Sequence, residues 1–384
     1  MIIKTKEFKE AANKILLAAN LDTNAANLEL VIGNSNLFLN VTNKEYFVSV
    51  KFTLDPEENS KTVETFRAVV DASLFLSLVS GFTTDTFSLD LKDNIVVLGS
   101  GKSKYKLAMI YENENLMTLP IIAIQNKTVE MNISNDILTS ILNVNSKELL
   151  KSKYLDVSEL NKLYYIDETG CFTFTNGSCL NSFTLEKPVK LLLNDRIVRL
   201  FNLFKEDVHF ILGQDQLLNG NVQTKIVLET SDTYLAAVIT CDDTLIAKVQ
   251  HPCDATKRYL TETYDHSLVL STTALSSAIN RLMTFTKNSK SGTEKVNMAY
   301  LPTAIKISNG ELTIEDKFEN YETVTIENES YSAGDYEMYV NLYDIKLVLD
   351  SCKTDHVTLN CGNHRSVIIS RGTVTNLIPE VRKI

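Results

Sequence analysis

The chain lacks the long runs that mark membrane, fibrous or secreted proteins. No stretch of about 18 uninterrupted apolar residues occurs in its 384 residues, so no membrane-spanning helix is expected. The segment from Met1 to Glu7 lacks the basic-then-apolar order of a signal peptide, and we therefore expect a cytoplasmic protein. With only 13 glycines and 6 prolines, the composition also excludes a collagen or a mucin.

Cysteine and histidine are too few and too scattered to predict a disulfide framework or a metal centre. The six cysteines include no C-x-x-C pair, which favours buried, reduced thiols. The five histidines show no helical H-x-x-x-H spacing, and the pair Cys361 and His364 has no second pair of ligands nearby. We expect neither a metal nor a cofactor.

Motifs for catalysis are missing as well. No serine lies in a G-x-S-x-G elbow, and acidic pairs such as Asp242-Asp243 are typical of solvated loops. The segment Gly99-Ser100-Gly101-Lys102-Ser103 resembles the end of a phosphate-binding loop, but Val96 stands where the first glycine of that motif belongs. The alternating residues Lys104 to Leu107 then predict a turn between strands and no following helix. We therefore expect no enzymatic activity.

The composition is that of a folded acidic protein. Apolar residues make up 44% of the chain and charged residues 22%, and the formal net charge is 38 − 48 = −10. This length suits two or three domains of ordinary size. The net charge by itself gives no reason to expect nucleic acid as a partner.

A long internal repeat organises the chain. Three segments consist of a strand, an Asp or Asn that can cap a helix, and an amphipathic helix, and their capping residues are Asp71, Asn194 and Asn341. A further amphipathic helix and a pair of strands precede each of them. Dividing 384 by three gives 128 residues per unit. The pattern predicts an α+β fold of three similar domains, each with two helices and antiparallel sheets, at 1–125, 126–253 and 254–384.

Basic side chains are concentrated on and beside the predicted helices. The helix predicted from Ser271 to Gly292 carries Arg281, Lys287 and Lys290 and no acidic residue. An acidic protein with such helices could still present a positive face to phosphate groups. On charge alone, a solvated helix face is the favoured interpretation.

The segment from Phe66 to Leu107 resembles one known family. A strand, a helix and three further strands follow in the order of the bacterial-type sliding clamp, the β subunit of DNA polymerase III, including its small-Gly-basic-Ser-basic-aromatic-x-Leu signature at Ser100 to Leu107. The C-terminal Leu377 to Ile384 is similar to the family's apolar-Pro-apolar-Arg ending, with Glu380 and Lys383 as departures. The similarity extends over essentially the full length of the chain.

The resemblance implies a ring of two chains joined head to tail. Three clamp domains per chain would surround double-stranded DNA without sequence preference, with helices lining the hole, and would tether the replicative polymerase, the clamp loader and other proteins through a short peptide motif. Such a processivity factor catalyses no reaction. The candidate DNA-facing residues are Lys9, Lys14, Lys151, Arg196, Arg199, Arg281 and Lys287. The candidate dimer-interface residues are Tyr105, Leu107 and Phe285.

The resemblance also implies a pocket for partner peptides. The matching residues are Thr175, Gly177, Leu180, Pro252, Arg258, Asn341, Ile378, Pro379 and Val381. Ser178-Cys179 replaces the family's usual His-Arg pair, and Asp344 stands where an aromatic ring is common. These departures indicate an altered partner specificity and a divergent member of the family, such as a phage-encoded clamp. The alternative for these residues is that they only pack a domain junction.

A second class of function stays open. Repeated α+β domains also suit a non-enzymatic structural or scaffold protein that does not bind DNA. Binding to covalently closed duplex, with release when the duplex is linearised, distinguishes a clamp from such a scaffold.

Overall fold

The computed structural model describes most of the chain. The described residues are 1–21, 26–33, 35–59, 66–144, 163–175, 177–217, 219–239, 243–288, 302–316, 318–328, 334–350, 352–362 and 366–382, with only the backbone at 143–144, 174–175, 177–178 and 285–288. One order of elements occurs three times: a strand, a helix, four strands, a helix and three strands. The predicted α+β class and its repeat are confirmed.

The first repeat contains eight strands and two helices. They are β1 (Ile2–Lys4), α1 (Thr5–Ala19), β2 (Asn27–Gly33), β3 (Asn36–Thr42), β4 (Tyr46–Thr53), β5 (Arg67–Asp71), α2 (Ala72–Gly81), β6 (Thr86–Lys92), β7 (Ile95–Ser100) and β8 (Ser103–Ala108). Two short strands, β9 (Tyr111–Glu112) and β10 (Asn115–Leu116), follow it.

The second repeat has the same order. It contains β11 (Lys127–Ile133), α3 (Asn135–Val144), β12 (Leu163–Asp167), β13 (Gly170–Thr175), β14 (Gly177–Ser182), β15 (Lys190–Asn194), α4 (Asp195–Leu200), β16 (Val208–Gln216), β17 (Val222–Glu229) and β18 (Thr233–Ile239). A turn of 3-10 helix, Phe201–Leu203, extends α4.

The third repeat is preceded by an additional helix, α5 (Asp243–Tyr259). It contains β19 (His266–Ser271), α6 (Thr272–Asn288), β20 (Pro302–Ser308), β21 (Glu311–Glu315), β22 (Tyr321–Thr325), β23 (Tyr336–Asn341), α7 (Leu342–Asp350), β24 (His356–Cys361), β25 (Ser366–Arg371) and β26 (Val374–Pro379).

Local sequence explains the boundaries of these elements. In α1, Phe8, Ala11 and Ile15 recur at helical spacing and are buried. Helix α2 begins after Asp71, whose Oδ1 accepts a hydrogen bond from the Leu74 amide at 2.7 Å, as predicted for an N-cap. The turn between β7 and β8 contains Gly101 at φ +59°. Glycine adopts this left-handed backbone conformation with little steric strain because it has no Cβ atom. The Gly-Lys-Ser segment therefore enters a strand, as the sequence predicted.

Apart from the short pair β9–β10, the described strands form six groups of four, which follow two orders. One order joins the strand before the first helix to the last three strands of a repeat, as in β1-β6-β7-β8, β11-β16-β17-β18 and β19-β24-β25-β26. The other order is β5-β2-β3-β4, β15-β12-β13-β14 and β23-β20-β21-β22. All neighbouring strands in these groups are antiparallel.

Two joins combine four of these groups into eight-stranded sheets. Strand β18 pairs with β4 from Thr233↔Val50 to Ala237↔Tyr46. Strand β26 pairs with β14 from Leu377↔Ser178 to Val374↔Asn181. The other two groups remain four-stranded sheets that end at β8 and at β22.

The chain divides into two compact units. The first unit consists of residues 1–139 and 196–241, and the second of 140–195 and 242–384. Each contains one eight-stranded and one four-stranded sheet, and the first also contains the two-stranded sheet β9–β10. The boundaries of three domains after residues 125 and 253 stay a prediction. Among the described helices, none is long and apolar enough to span a membrane.

Each unit has an apolar core between helices and sheets. In the first unit, the Phe8 ring packs edge-on against Phe52 and Phe87, with ring centroids 5.2 and 5.3 Å away. In the second unit, Leu282 of α6 and Ile345 of α7 belong to one buried cluster. Burying one such side chain contributes about 1.5–3 kcal/mol, so these contacts fix the helices on their sheets.

Candidate partner pocket, DNA-facing helices and open strand edges

The floor of the candidate partner pocket lies on strand β14. Leu180 is only 1% exposed and pairs across the sheet with Phe172 and Thr375. Thr175 and Gly177 face each other across the hairpin between β13 and β14, and the Thr175 side chain lies outside the described set. The Thr-x-Gly-x-x-Leu match therefore spans a hairpin and the strand that follows it.

Helix α5 covers the face of the sheet on which Leu180 lies. On the opposite face, Asn181 donates its side-chain amide to the carbonyl oxygen of Ser140 in α3, at 2.6 Å. Since neighbouring strand residues point to opposite faces, Leu180 points away from α3. Helix α5 packs against β12 and β14, and its Lys257 Nζ lies 2.5 Å from Oδ2 of Asp167, which belongs to the same face as Leu180.

Sequence reasoning missed helix α5. It placed Pro252 and Arg258 at a connection between domains, whereas the structure places both within this 17-residue helix, Pro252 half-buried and Arg258 exposed. A proline inside a helix removes one backbone hydrogen-bond donor and is usually avoided. For this reason the sequence around Pro252 did not predict a helix. The spacing of Ile246, Val249 and Cys253, which form its buried face, is the signal that could have revealed it.

An ion pair fastens α5 to the sheet. Asp167 is 6% exposed and accepts hydrogen bonds from Lys257 and from the amide and hydroxyl of Thr169. Burial by itself would raise the pKa of Asp167, but the hydrogen bonds from Lys257 and Thr169 outweigh it and hold that pKa below its usual value. The carboxylate is therefore charged and compensated near neutral pH.

The buried cysteines of this region are not reactive thiols. Burial raises the pKa of the Cys179 thiol to about 11 and that of Cys253 to about 12. Because the thiolate is the nucleophile and the metal ligand, these thiols stay unreactive near neutral pH. Within the described residues, no group of three or more His, Cys, Asp or Glu side chains is arranged to hold a metal ion.

The C-terminal segment connects the floor of the pocket to α7. Ile378 is fully buried, Pro379 is exposed, and the Val381 amide donates to the Tyr339 carbonyl oxygen at 2.8 Å. Tyr339 lies in β23, which ends at the buried Asn341. The segment thus runs from β26, beside β14, to the strand that leads into α7.

Polar groups lie at the start of α7, where the sequence resemblance predicted an aromatic ring in a partner pocket. The Asn341 side-chain oxygen accepts a hydrogen bond from the Tyr343 amide at 3.3 Å. Burial raises the pKa of the half-buried Asp344 to about 6, although a hydrogen bond with Asn341 acts in the opposite direction. The wall of the pocket formed by α7 is therefore more polar than an aromatic ring would make it.

Four of the candidate DNA-facing cations have partners within the chain. Lys9 donates to the Phe82 carbonyl oxygen at 2.7 Å, and Lys14 Nζ lies 3.0 Å from Asp232 Oδ2. Arg196 pairs with Glu45 at 2.9 Å, and Arg281 binds both carboxylate oxygens of Glu322. Arg199 is exposed, whereas Lys151 and the Lys287 side chain lie outside the described residues. Ion pairs at a protein surface typically contribute about 0–1 kcal/mol to stability.

Strands β8 and β22 are each one edge of a four-stranded sheet, and the opposite edges are β1 and β23. In β8, Tyr105 stacks on Phe82 at 5.7 Å and Leu107 is 2% exposed, so both side chains pack on their own chain. The alternate residues Lys104 and Lys106 are exposed. In β22, Tyr321 is 67% exposed. The side chain of Phe285 lies outside the described set.

Comparison with known proteins identifies the fold. No protein-family model matches the sequence, and no curated protein matches it. Solved structures match over the full length. The DNA polymerase III subunit beta from Pseudomonas aeruginosa has a TM-score of 0.73 at 15% identity, with 100% of both chains covered. The β subunit from Thermotoga maritima has a TM-score of 0.73 at 14% identity, covering 100% of this chain and 99% of that one.

A third structure of the same kind was solved with a bound peptide. The Helicobacter pylori beta clamp bound to a DNA ligase peptide has a TM-score of 0.67 at 14% identity, and covers 100% of this chain and 99% of that one. These structures agree with the threefold order of elements and with the low sequence similarity expected of a divergent chain. This chain therefore has the fold of the bacterial DNA polymerase III β sliding clamps.

Proposed function

We propose that this protein is a DNA sliding clamp, which closes around double-stranded DNA as a head-to-tail homodimer and tethers a replicative polymerase. The arrangement of the strand groups carries this proposal. Strands β4, β14 and β22 occupy equivalent edges of their groups, and so do β8, β18 and β26. Two of the three possible joins, β4 with β18 and β14 with β26, are made within the chain.

The third join would be made between two chains. Strands β8 and β22 are sheet edges in the described part of the chain, and an unpaired edge favours the addition of another strand. Pairing β8 of one protomer with β22 of its partner repeats the contact already used twice. A contact between two different surfaces closes into a ring when its rotation allows closure, which supports the proposed ring.

Charge also favours a head-to-tail contact. Lys102, Lys104 and Lys106 are exposed in and beside β8. Strand β22 carries no basic residue, its Glu322 is already bound by Arg281, and Glu319 is exposed in the turn before it. A basic edge pairs better with an edge that carries no positive charge than with a copy of itself, because like charges on opposed strands are destabilising.

A clamp of this kind needs no reaction and no strong contact with DNA. Topological closure prevents dissociation, so contacts to phosphate can stay weak and independent of sequence. We propose that partners bind through short peptides at the region of Leu180, α5, Asn341 and the C-terminal segment, as the Helicobacter pylori clamp binds a DNA ligase peptide. Cytoplasmic replication proteins are the expected partners.

A threading experiment tests the function. A linear duplex is fixed to a bead at one end, incubated with the protein so that rings pass over the free end, and then blocked at that end by a bulky protein. After a high-salt wash, which removes electrostatic binding, we expect the protein to remain only on duplexes blocked at both ends. Cutting the duplex between the blocks should release it.

Two results would contradict the proposal. Equal retention on blocked and unblocked duplexes would indicate ordinary binding to DNA. The absence of retention on both would favour the scaffold protein that does not bind DNA.

A further inference from the structure

The first unit contains a cavity of about 480 Å³ that the proposed function does not use. Its lining residues are Asn27, Thr42, Asn43, Lys44, Glu45, Met117, Leu119, Pro120 and Arg196. Apart from Asn27 at the start of β2, the lining comes from the turn between β3 and β4, from the segment that follows the first repeat, and from the start of α4.

These three elements correspond to those of the proposed partner pocket. There, the hairpin turn lies between β13 and β14, helix α5 follows the second repeat, and α7 begins after Asn341. Arg196 is the second residue of α4, and Tyr343 is the second residue of α7. The cavity of the first unit therefore lies at the same position in the repeat as the proposed partner pocket of the second unit.

Hydrogen bonds hold the cavity in shape. The Asn43 side-chain oxygen accepts bonds from the amides of Glu45 and Tyr46, both at 2.8 Å, which fixes the turn. The Thr42 hydroxyl donates to the Pro120 carbonyl oxygen at 3.0 Å. Arg67 donates to the Met117 carbonyl oxygen at 2.7 Å. A site formed in advance costs a ligand less ordering of the protein when it binds.

The lining also indicates the chemistry of the ligand. Met117, Leu119 and Pro120 supply apolar surface for one apolar side chain. Arg196 is paired with Glu45 at 2.9 Å, whereas Lys44 is exposed and makes no ion pair among the described residues. The cavity therefore carries one surplus positive charge, which favours a carboxylate beside the apolar group.

We propose that this cavity is a second binding site for partner peptides, selective for an apolar side chain next to an acidic one. The inference extends the proposed function, because it assigns a further partner site to the same clamp. Two sites of different chemistry on one chain would let two partners bind the same protomer together.

Calorimetric titration with one probe peptide tests the proposal. The probe, acetyl-Gln-Leu-Asp-Leu-Phe-amide, has spaced apolar anchors and one acidic residue. We expect two sites per chain. Lys44→Glu should weaken one of them about tenfold or more, since it places a like charge beside the ligand's carboxylate. Lys92→Glu, an exposed lysine of β6, is the matched control and should leave both sites unchanged.

A second variant separates the two sites. Pro379→Glu with Val381→Glu alters the C-terminal segment and should weaken only the partner pocket. In an independent measurement, a photoreactive group on the probe's first leucine should label a fragment that contains Met117.

Each further outcome decides between the two sites. A single site lost only in the C-terminal variant would overturn the second site and leave the partner pocket intact. A single site lost only in Lys44→Glu would support the cavity and remove the partner pocket. Failure of the probe to bind would overturn both sites, while the threading experiment would still test the clamp. If Lys44→Glu weakens retention on blocked duplex and leaves peptide binding unchanged, the cavity faces DNA and the proposal is wrong.

Discussion

Reversing the charge of the β8 edge should open the proposed ring. Lys104→Glu with Lys106→Glu alters two exposed side chains and leaves the packed Tyr105 and Leu107 in place. Each variant chain should keep its own fold, because the neighbouring strand β7 pairs with the other edge of β8. The change therefore acts on the contact between chains.

The expected magnitude follows from the joins within the chain. The β4–β18 join pairs five residues and the β14–β26 join pairs four. With about 0.5–1.5 kcal/mol per backbone hydrogen bond, a third join of this length contributes roughly 2–7 kcal/mol. Opposed like charges on paired strands cost about 0.2–1 kcal/mol each. A ring of two chains contains two such joins with two substitutions in each, so the substitutions together cost roughly 1–4 kcal/mol per ring. This corresponds to a dimer roughly 5-fold to 1,000-fold weaker.

Sedimentation velocity over a range of concentrations measures the effect. The parent chain and the control Lys92→Glu should be dimers at concentrations where the β8 variant is a monomer. Thr323→Lys with Thr325→Lys alters the exposed residues of β22 and should also give monomers.

Mixing the two variants provides the decisive measurement. In a head-to-tail contact, the intact β22 edge of one variant can pair with the intact β8 edge of the other, and the two altered edges carry opposite charges, so a heterodimer should form. A contact between two β8 edges would instead leave the β22 variant a dimer on its own, because its β8 edge is unchanged. If the mixture stays monomeric, or if the β8 variant alone is as dimeric as the parent, this reasoning is wrong.

Three further predictions concern α5, α7 and DNA. Lys257→Met leaves the buried Asp167 without its cation and should lower the free energy of unfolding by about 1–3 kcal/mol in urea titrations at neutral pH. Because the native pKa of Asp167 lies below its usual 3.8, its stabilisation is present above pH 3.8 and is lost below it, so parent and variant should converge in acid. Asp344, with a native pKa of about 6, has the opposite sign: the native state holds a proton that the unfolded state releases, so stability falls between about pH 4 and pH 6. Asp344→Asn should remove that fall and stabilise the chain by about 1–3 kcal/mol above pH 6, and unchanged urea midpoints would refute this. Arg199→Glu should weaken binding to short unblocked duplexes equally for all sequences and reduce its salt dependence, as fluorescence anisotropy can measure.

Local signals account for what the sequence predicted. The cap at Asp71, the apolar spacing in α1 and the glycine turn at Gly101 each depend on a few neighbouring residues, and the structure contains all three. Their repetition at similar intervals then predicted the α+β repeat.

Long-range contacts account for the features of the structure that the sequence could not predict. Lys14 was assigned to DNA from its place on a helix, but its ion-pair partner Asp232 is 218 residues away. Arg196 pairs with Glu45, 151 residues away, and both line a cavity that no local pattern indicates. Helix α5 was hidden by Pro252, since its packing on the sheet overrides the low helix propensity of proline. The candidate site residues that depend on such contacts stay predictions.

The two open edges have a consequence for assembly itself. Each chain carries one edge of each kind, so pairing alone sets no upper limit on the number of chains that can be added. The joins β4–β18 and β14–β26 each impose an angle between the strand groups that they connect. This angle decides whether the free edge of the last chain added meets the free edge of the first chain or points away from it. A substitution that changes this angle without weakening any contact would therefore convert a closed particle into a growing filament.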